Sequence, residues 1–309
     1  MAPLTFQPLY MTRVWGGRSL ESVYGRQLPD DQPYGESWEV VDRPGEQSVV
    51  VGGPHAGKSL HELWANHRED VFGPGLSGDR FPLLIKILDA QDDLSIQVHP
   101  PAELAPSLGG EPKTEMWFIA DAKPDAKLYV GFKEGVTRDE FAGALADGTV
   151  ADKVHAISPK AGESIFIPSG RLHAIGAGLV IYEIQQNSDT TYRVFDWNRV
   201  GLDGKPRDLH IDESMQSIDF NDFEPGMDEP QGTTIAQCDY FRVDKIPLAR
   251  GADLANPRDD RFSLVTVVEG SLADENGGSH APGSFLLLPA GAVPLMATAD
   301  SVVLQTTIP

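Results

Sequence analysis

One short segment of the chain, LSIQVHPP, alternates apolar and polar residues and ends its polar series with Gln97 and His99. Successive side chains of a β-strand point to opposite faces, so this alternation predicts that Gln97 and His99 lie side by side on one face. An amide oxygen and an imidazole nitrogen in that arrangement can both coordinate a divalent metal ion. The polar face of an ordinary amphipathic strand would show the same alternation, so this segment alone leaves both interpretations open.

Two more residues could complete a metal site. Glu115 opens the apolar run EMWFIA, where a carboxylate is costly to bury unless it is paired or bound to a metal. His173 ends the segment GESIFIPSGRLH, whose spacing of glycine, proline, glycine and histidine matches the second cupin motif, in which the histidine binds a metal. Ala177 stands where that motif often ends in asparagine. Both residues also have an ordinary interpretation, as a strand-end glutamate and as a hydrogen-bonded turn histidine.

The candidate ligands are therefore Gln97, His99, Glu115 and His173, which offer two nitrogen and two oxygen donors. This set suits Zn²⁺ in a catalytic site that keeps a position open for water or substrate. Mn²⁺, Co²⁺ and Fe²⁺ fit the same donors, so the residue types alone do not choose among these metals.

Short strands must position these ligands, because the chain has 31 Gly and 24 Pro and its apolar runs are brief and bounded by turn residues. Capping boxes predict two helices, one that begins after Ser59 and ends at Gly73 and one that begins after Thr137 and ends near Gly148. We expect the second helix to belong to a small helical insertion, around residues 102–156, at the rim of a barrel.

The segment that ends at His173 has a weak copy at 283–294, which reads GSFLLLPAGAVP and ends at Pro294. Both copies consist of Gly, five further residues that are mostly β-prone, Pro-x-Gly, two residues and a final position. We therefore expect a mainly β fold of two cupin-like jelly-roll β-barrels, with the helical insertion in the first. The expected domains are a catalytic metal-binding domain over 1–225 and a metal-free β domain over 233–309.

Four segments together resemble the type I phosphomannose isomerases in their short bacterial form, within the cupin superfamily. These segments are YGESWEV, LSIQVHPP, KTEMWFIA and IPSGRLHAIGAGLVIYEIQQNSDTTYRVFDWNR. The resemblance extends from about Leu9 to Asp212 and is looser in the C-terminal part. It implies a metal-dependent aldose–ketose isomerase that interconverts mannose 6-phosphate and fructose 6-phosphate through an enediol intermediate, with one Zn²⁺ per chain.

The resemblance also implies a role for each matching residue. It implies that the zinc ligands are Gln97, His99, Glu115 and His173. It implies that the catalytic residues are Glu36, Lys113, Asp189 and Arg193, and that Trp15, Lys86 and Lys113 bind the substrate. In this reaction Arg193 would stabilise the developing oxyanion and Asp189 would orient Arg193. The base stays open among Glu36, a lysine and a metal-bound water, and the phosphate-binding residues stay open as well.

The composition restricts the partners. Lys and Arg number 25 against 46 Asp and Glu, which gives a formal net charge of −21 and argues against nucleic acid or an anionic membrane as a partner. A small sugar phosphate stays compatible, because a cleft can be locally positive on an acidic protein. There is no signal-peptide pattern and no apolar stretch of membrane-spanning length, and Cys238 is the only cysteine, so we expect a cytoplasmic protein. The sequence leaves a monomer and a homodimer both open.

Other functions fit the same ligand set. A non-catalytic cupin sensor would bind a sugar phosphate without turnover, and an isomerase could act on a different sugar phosphate. An oxygen-using dioxygenase is a further alternative, against which the glutamine in place of a third histidine argues. The presence of Asp189 and Arg193 beside a full ligand set argues against the sensor.

Overall fold

The computed structural model describes residues 1–309, and the chain is mainly β, as the sequence predicts. The strands of the N-terminal two thirds are β1 (Leu9–Gly17), β2 (Tyr34–Val40), β3 (Asp42–Arg43), β4 (Glu46–Gln47), β5 (Leu83–Ala90), β6 (Ile96–Val98), β7 (Glu115–Ala122), β8 (Leu128–Phe132), β9 (Val154–Ile157), β10 (Ser164–Ile167), β11 (His173–Ile175), β12 (Leu179–Gln186) and β13 (Tyr192–Phe195). The remaining strands are β14 (Thr234–Gln237), β15 (Arg242–Leu248), β16 (Asp253–Leu254), β17 (Ser263–Glu269), β18 (Leu272–Ala273), β19 (Ser279–His280), β20 (Phe285–Leu288), β21 (Leu295–Ala297) and β22 (Ser301–Thr307).

The helices are few and short. They are α1 (Ser19–Ser22), α2 (Leu60–Asn66), α3 (Arg68–Phe72), α4 (Arg138–Asp147) and α5 (Ile211–Ser217), with three 3₁₀ turns at Gly53–His55, Ala105–Leu108 and Val150–Lys153. None of these helices combines the length and the apolar character that crossing a membrane would require.

The two predicted capping boxes are both present, but the first helix is interrupted. Ser59 caps α2, and the helical path breaks at His67, whose ψ of 25° departs from helical geometry, before α3 continues to Gly73. Thr137 caps α4, which ends at Gly148 in the left-handed conformation as predicted. Residues 102–156, expected to be a helical insertion, contain α4 and the 3₁₀ turns Ala105–Leu108 and Val150–Lys153, but they also contain the strands β7 and β8.

Contacts between Cα atoms divide the chain into two compact units. One unit contains Tyr10–Ser37 and Ile85–Asp228, and the other contains Met1–Leu9, Trp38–Leu84 and Glu229–Pro309. This grouping places residues 38–84 with the C-terminal segment, whereas the sequence analysis placed them in the first domain. The predicted domain limits stay a prediction about how the chain folds, because contact grouping alone does not define a folding unit.

Two antiparallel sheets build the unit that contains the candidate ligands. Their strand orders are β1-β2-β5-β12-β7-β10 and β13-β6-β11-β8-β9. Side chains from both sheets, among them Trp15, Trp117 and Ile175, bury one another in a single apolar core. The strand orders are open at both ends, so no closed barrel is found in this unit.

A second pair of sheets lies in the other unit, with strand orders β14-β15-β22-β17-β20 and β16-β21-β18-β19. Its apolar core includes Val265, Leu286, Leu295 and Val303, which come from both of these sheets. Each copy of the sequence repeat therefore lies in its own pair of sheets. The first copy contains β10 and the start of β11, and the second contains β20 and ends just before β21.

Candidate active site

The register of one sheet places three candidate residues side by side. Gln97 of β6 lies directly opposite His173 of β11 on one side and opposite Arg193 of β13 on the other. Glu115 begins β7 in the facing sheet, where it pairs with Ile167 of β10. Residues that are far apart in sequence thus converge because the register of β6, β11 and β13 aligns three of them, and β7 of the facing sheet begins beside His173.

His99, Glu115 and His173 form a compact cluster. Their ligand atoms all lie within 4.8 Å of one another, and each residue is at most 1% exposed. The Nε2 atom of His99 is 3.7 Å from one carboxylate oxygen of Glu115, and the Nε2 atom of His173 is 3.6 Å from the other. The sequence analysis named these three residues as ligands, and the structure brings them together.

The second ring nitrogen of each histidine is held by the backbone. Nδ1 of His99 is 2.8 Å from the carbonyl oxygen of Thr190, and Nδ1 of His173 is 2.8 Å from the carbonyl oxygen of Arg171. A carbonyl can only accept, so both Nδ1 atoms carry the proton and both Nε2 atoms keep a lone pair that points toward Glu115. Burial lowers the pKa of His99 to about 3 and that of His173 to about 4, which leaves both rings neutral at physiological pH.

The donors fit a divalent cation. Neither carboxylate oxygen of the fully buried Glu115 accepts a hydrogen bond, although Nζ of Lys113 lies 2.6 Å away as a counter-ion. Burial favours a raised pKa for Glu115, but the charge of Lys113 lowers it well below the usual value, so the carboxylate is ionised. Nζ of Lys113 is 3.3 Å from Nε2 of His99, so that lone pair has a donor nearby when no metal is bound. Two unprotonated imidazole nitrogens and an anionic carboxylate are a hard-to-borderline donor set.

Gln97 adjoins this cluster through its amide. Its Nε2 is 3.4 Å from Nε2 of His173, and its Oε1 accepts a hydrogen bond of 3.2 Å from the hydroxyl of Ser95. A half-turn of the amide group exchanges the nitrogen and the oxygen, and this rotation would direct the oxygen toward His173. Gln97 is therefore in reach of the cluster as a fourth donor once the amide is turned.

The cluster borders a cavity of about 510 Å³. Eight of the predicted site residues line this cavity, and they are Trp15, Glu36, Lys86, Gln97, Lys113, His173, Asp189 and Arg193. The remaining two, His99 and Glu115, lie behind the cavity wall in the buried cluster. A volume of this order is in the usual range for a small-molecule site.

The two lysines of the cavity are each paired with two carboxylates. Nζ of Lys86 is 3.2 Å from Glu183 and 3.8 Å from Glu36, while Nζ of Lys113 is 2.6 Å from Glu115 and 3.8 Å from Glu183. Burial alone would lower the pKa of Lys113, but Glu115 and Glu183 raise it overall, so Lys113 is a permanent cation.

Sequence reasoning missed Glu183, which lies at the centre of these pairs. It is buried in β12, directly opposite Trp117 of β7, and its carboxylate accepts a hydrogen bond of 3.2 Å from Nε1 of that tryptophan. Burial and the neighbouring Glu115 raise the pKa of Glu183. The sequence did carry a signal, since Glu183 interrupts the apolar run LVIYEIQQ in the same way that Glu115 opens its own run.

Sequence reasoning also missed two arginines on the cavity wall. Arg13 lies in β1 and donates from Nε to Glu36 at 2.8 Å. Arg207 follows the loop after β13 and also lines the cavity. No local sequence pattern marks Arg13 or Arg207, because only the long-range order of the strands brings them to the cavity.

Asp189 and Arg193 both line the cavity, but no ion pair joins them, so the predicted orienting contact is not present in this structure.

Comparison with known proteins identifies the family of this chain. The sequence profile of the phosphomannose isomerase type I catalytic domain matches residues 4–111. The mannose-6-phosphate isomerase ManA of Bacillus subtilis is 38% identical over 301 residues, which cover 94% of this chain and 93% of that protein. The mannose-6-phosphate isomerase of Streptococcus mutans is 42% identical over 275 residues, which cover 87% of this chain and 85% of that protein.

Solved structures give the same result for the fold. The crystal structure of the mannose 6-phosphate isomerase from Bacillus subtilis superposes with a TM-score of 0.90 at 33% identity and covers both chains completely. A mannose 6-phosphate isomerase bound with zinc and yttrium shares the fold at a TM-score of 0.76 and 17% identity, again over the full length of both chains. With relatives this similar over nearly its whole length, the chain belongs to the type I phosphomannose isomerase family.

Proposed function

We propose that this chain interconverts mannose 6-phosphate and fructose 6-phosphate, with one zinc ion held by Gln97, His99, Glu115 and His173. The observation that carries the proposal is the buried His99–Glu115–His173 cluster on the wall of a charged cavity, in a chain of the phosphomannose isomerase family. We further propose that the two pairs of sheets are two cupin-like jelly rolls, since a jelly roll is a double-sheet architecture that needs no closed hydrogen-bonding ring. The one cysteine, Cys238, is a free thiol, which supports a cytoplasmic enzyme. The formal net charge of −21 supports a small molecule as its substrate.

The chemistry requires a proton to move between C2 and C1 while negative charge develops on the substrate oxygens. A divalent cation bound at the cluster would supply a Lewis acid that polarises such an oxygen. The protein residues must bind the sugar, exclude water and hold the proton during the transfer.

Two carboxylates of the cavity are candidates for the proton transfer. Glu36 is ion-paired with Arg13 and Lys86, which favours its ionised form. Glu183 has a raised pKa, because burial and Glu115 disfavour its charge, and this brings its basicity closer to neutral pH. We propose that one of these two carboxylates removes the proton from C2 and returns it to C1.

Other residues position the substrate. The ring of Trp15, only 3% exposed, forms an apolar part of the cavity wall against which the face of a sugar can pack. Asp189 lines the cavity and accepts no hydrogen bond from the protein, so its carboxylate is available to sugar hydroxyls. Lys113 is a fixed positive charge beside the cluster, and Arg193 has guanidinium donors that can bind an anionic oxygen of the substrate.

A coupled assay with mannose 6-phosphate tests the proposal directly. We expect fructose 6-phosphate to form with zinc-loaded protein, to cease after treatment with a chelator and to return when Zn²⁺ is added. Fully metallated protein that binds mannose 6-phosphate without producing fructose 6-phosphate would instead indicate a sensor. Turnover of a different aldose phosphate alone would indicate an isomerase with another substrate.

A further inference from the structure

The loop between β12 and β13, residues 187–191, borders both the ligand cluster and the cavity. The carbonyl oxygen of Thr190 accepts the hydrogen bond of 2.8 Å from Nδ1 of His99. Asp189 and Thr191, the residues on either side of it, line the cavity. A shift of this one short loop would therefore move a contact of a proposed zinc ligand and a part of the cavity wall together.

Side-chain hydroxyls attach one side of this loop to the segment before β7. Oγ1 of Thr190 accepts from the N–H of Glu111 at 2.9 Å, and Oγ of Ser188 donates to the carbonyl oxygen of Glu111 at 3.2 Å. The N–H of Thr190 in turn donates to Oγ of Ser188 at 3.2 Å. The loop lies between two strands and outside the sheets, so its position depends on single side chains such as these.

Gln185, the last residue but one of β12, holds the start of the loop. Its Nε2 donates to the carbonyl oxygen of Ser188 at 2.6 Å and to that of Gln186 at 2.7 Å. Carbonyl oxygens only accept, so these two contacts fix which end of the amide carries the nitrogen. The N–H of Ser188 also donates to the carbonyl oxygen of Gln186, at 2.7 Å. The amide therefore closes a tight turn, from which the chain continues to Asp189 and Thr190.

The amide of Gln185 acts within the protein and not on a substrate. Gln185 is fully buried, does not line the cavity and lies directly opposite Glu115 of β7 in the sheet. Its Oε1 is buried without a hydrogen-bond partner, which is a cost to stability. A methionine would occupy a similar volume without that cost, so the amide contributes through its two donated hydrogen bonds and not through packing.

We propose that Gln185 is a positioning residue for the metal site. Its amide fixes the loop 187–191, so that the carbonyl oxygen of Thr190 holds the ring of His99 in the orientation that presents Nε2 to the metal. The same loop places Asp189 on the cavity wall. Groups that bind the second nitrogen of a ligating histidine set the orientation of its ring, and their loss weakens metal binding. The inference rests on the proposed function, because it takes His99 as a ligand of bound zinc.

Zinc affinity tests this role without reference to turnover. We expect Gln185→Met to raise the Kd for Zn²⁺, measured by competition with a chromophoric chelator, by about 10-fold to 100-fold. Gln305→Met is the matched control, because Gln305 is a buried glutamine of β22 whose amide donates to the carbonyl oxygen of Ala255 at 2.9 Å and to Ser263 at 3.0 Å. It should lose stability in the same way and keep the wild-type Kd for zinc.

Two further measurements separate positioning from a purely structural role. In protein loaded with Co²⁺, the visible absorption bands report the ligand geometry, and we expect them to change in Gln185→Met and to stay unchanged in Gln305→Met. At saturating zinc, Gln185→Met should raise KM for mannose 6-phosphate by about tenfold, because Asp189 moves with the loop. A purely structural role would lower the thermal midpoint in both variants and leave the cobalt spectrum and KM unchanged.

Each remaining outcome also decides. An unchanged Kd for zinc and an unchanged cobalt spectrum in folded Gln185→Met would overturn the inference, as would an equal loss of zinc affinity in Gln305→Met. If Gln185→Met loses its native circular dichroism, Gln185→Asn, which keeps the amide but shortens its reach, decides by the same measurements. A wild-type protein whose zinc affinity depends on Gln185 but which does not isomerise mannose 6-phosphate would refute the proposed function and leave the positioning role intact.

Discussion

The two copies of the sequence repeat fold in the same way and differ in chemistry. In each copy the first glycine donates its N–H to the partner strand, from Gly162 to Ile119 at 2.8 Å and from Gly283 to Val267 at 2.9 Å. The second glycine has a positive φ in both copies, 91° at Gly170 and 66° at Gly291. The backbone of the motif is therefore shared, down to the left-handed glycine that its turn requires.

The side chains at equivalent positions are different. By strand register, Ile167 faces Glu115 in the first copy, and the corresponding Leu288 faces Ser263 in the second. The motif ends at His173 in the first copy and at Pro294 in the second. The second copy has thus lost two of the cluster's three ligands while keeping the hydrogen bonds of the backbone.

The buried polar groups also differ in how they are satisfied. In the second region Ser263 donates to Asn256 at 2.7 Å, Asn256 donates to the carbonyl oxygen of Pro289 at 2.7 Å, and Gln305 donates to Ser263 at 3.0 Å. In the first region the oxygens of Glu115 accept no hydrogen bond. A closed network stabilises a fold, whereas the carboxylate oxygens of Glu115, buried beside the cavity, are available to a metal ion.

The largest effect that this comparison predicts is the loss of the metal from the first region. We expect His173→Ala to reduce bound zinc, measured by plasma mass spectrometry, to below about a tenth of an equivalent, and to reduce kcat by at least about 1,000-fold. His280→Ala is the matched control, because His280 is a buried histidine that pairs with Asp274 in the other unit. Near-normal zinc in His173→Ala would refute its role as a ligand, and zinc loss in His280→Ala would refute the assignment of the metal to the first region alone.

A smaller effect is expected at the carboxylates that border the cluster. If Glu183 moves the proton, Glu183→Gln should keep the zinc and lower kcat by about 100-fold to 1,000-fold, since general acid–base catalysis contributes effects of this size. Glu36→Gln should then have the weaker effect on kcat, and the reverse order would identify Glu36 as the base. The exposed Glu103→Gln is the control for a change of charge on the protein surface.

How much of this site the sequence predicts depends on how local each signal is. Gln97 and His99 follow from period-two alternation within one strand, and His173 follows from the spacing of one turn. The contact of Lys86 with Glu183 depends on the pairing of β5 with β12, which no short segment encodes. For this reason the ligand cluster could be predicted, while the ion pairs around it could not.

The fold, like the site, is predictable from the sequence only where the signal is local. Both capping boxes are local and form as predicted, yet the first helix breaks at His67, although the helical pattern continues in the sequence. The repeat predicted two related β regions, but whether a sheet closes depends on edge strands that are distant in sequence. Two sheets that share an apolar core satisfy the same alternation as a closed barrel.

A still smaller effect is expected from the polar network of the second region. Asn256→Ala should lower the free energy of unfolding by about 2 kcal/mol, because the hydroxyl of Ser263 loses its acceptor and the carbonyl of Pro289 loses a donor. Zinc content and KM should stay at wild-type values. Asn276→Ala, at an exposed position in a turn, is the control and should change stability by less than about 0.5 kcal/mol. A loss of zinc in Asn256→Ala would show that this network serves the metal site after all.

The smallest predicted effect is that restoring the histidine does not restore the site. Pro294→His returns the final residue of the motif, but Pro294 is exposed and the position equivalent to Glu115 is Ser263, whose hydroxyl is already hydrogen-bonded. The carbonyl oxygen that accepts from the second glycine belongs to His99 in the first copy and to the exposed Asp259 in the second, so a second imidazole is missing as well. One histidine beside one exposed carboxylate cannot retain zinc against dialysis, because structural and catalytic sites need at least three protein ligands. We expect one equivalent of zinc per chain in this variant, as in the wild type, and a second equivalent would show that the shared backbone alone is enough to build the site.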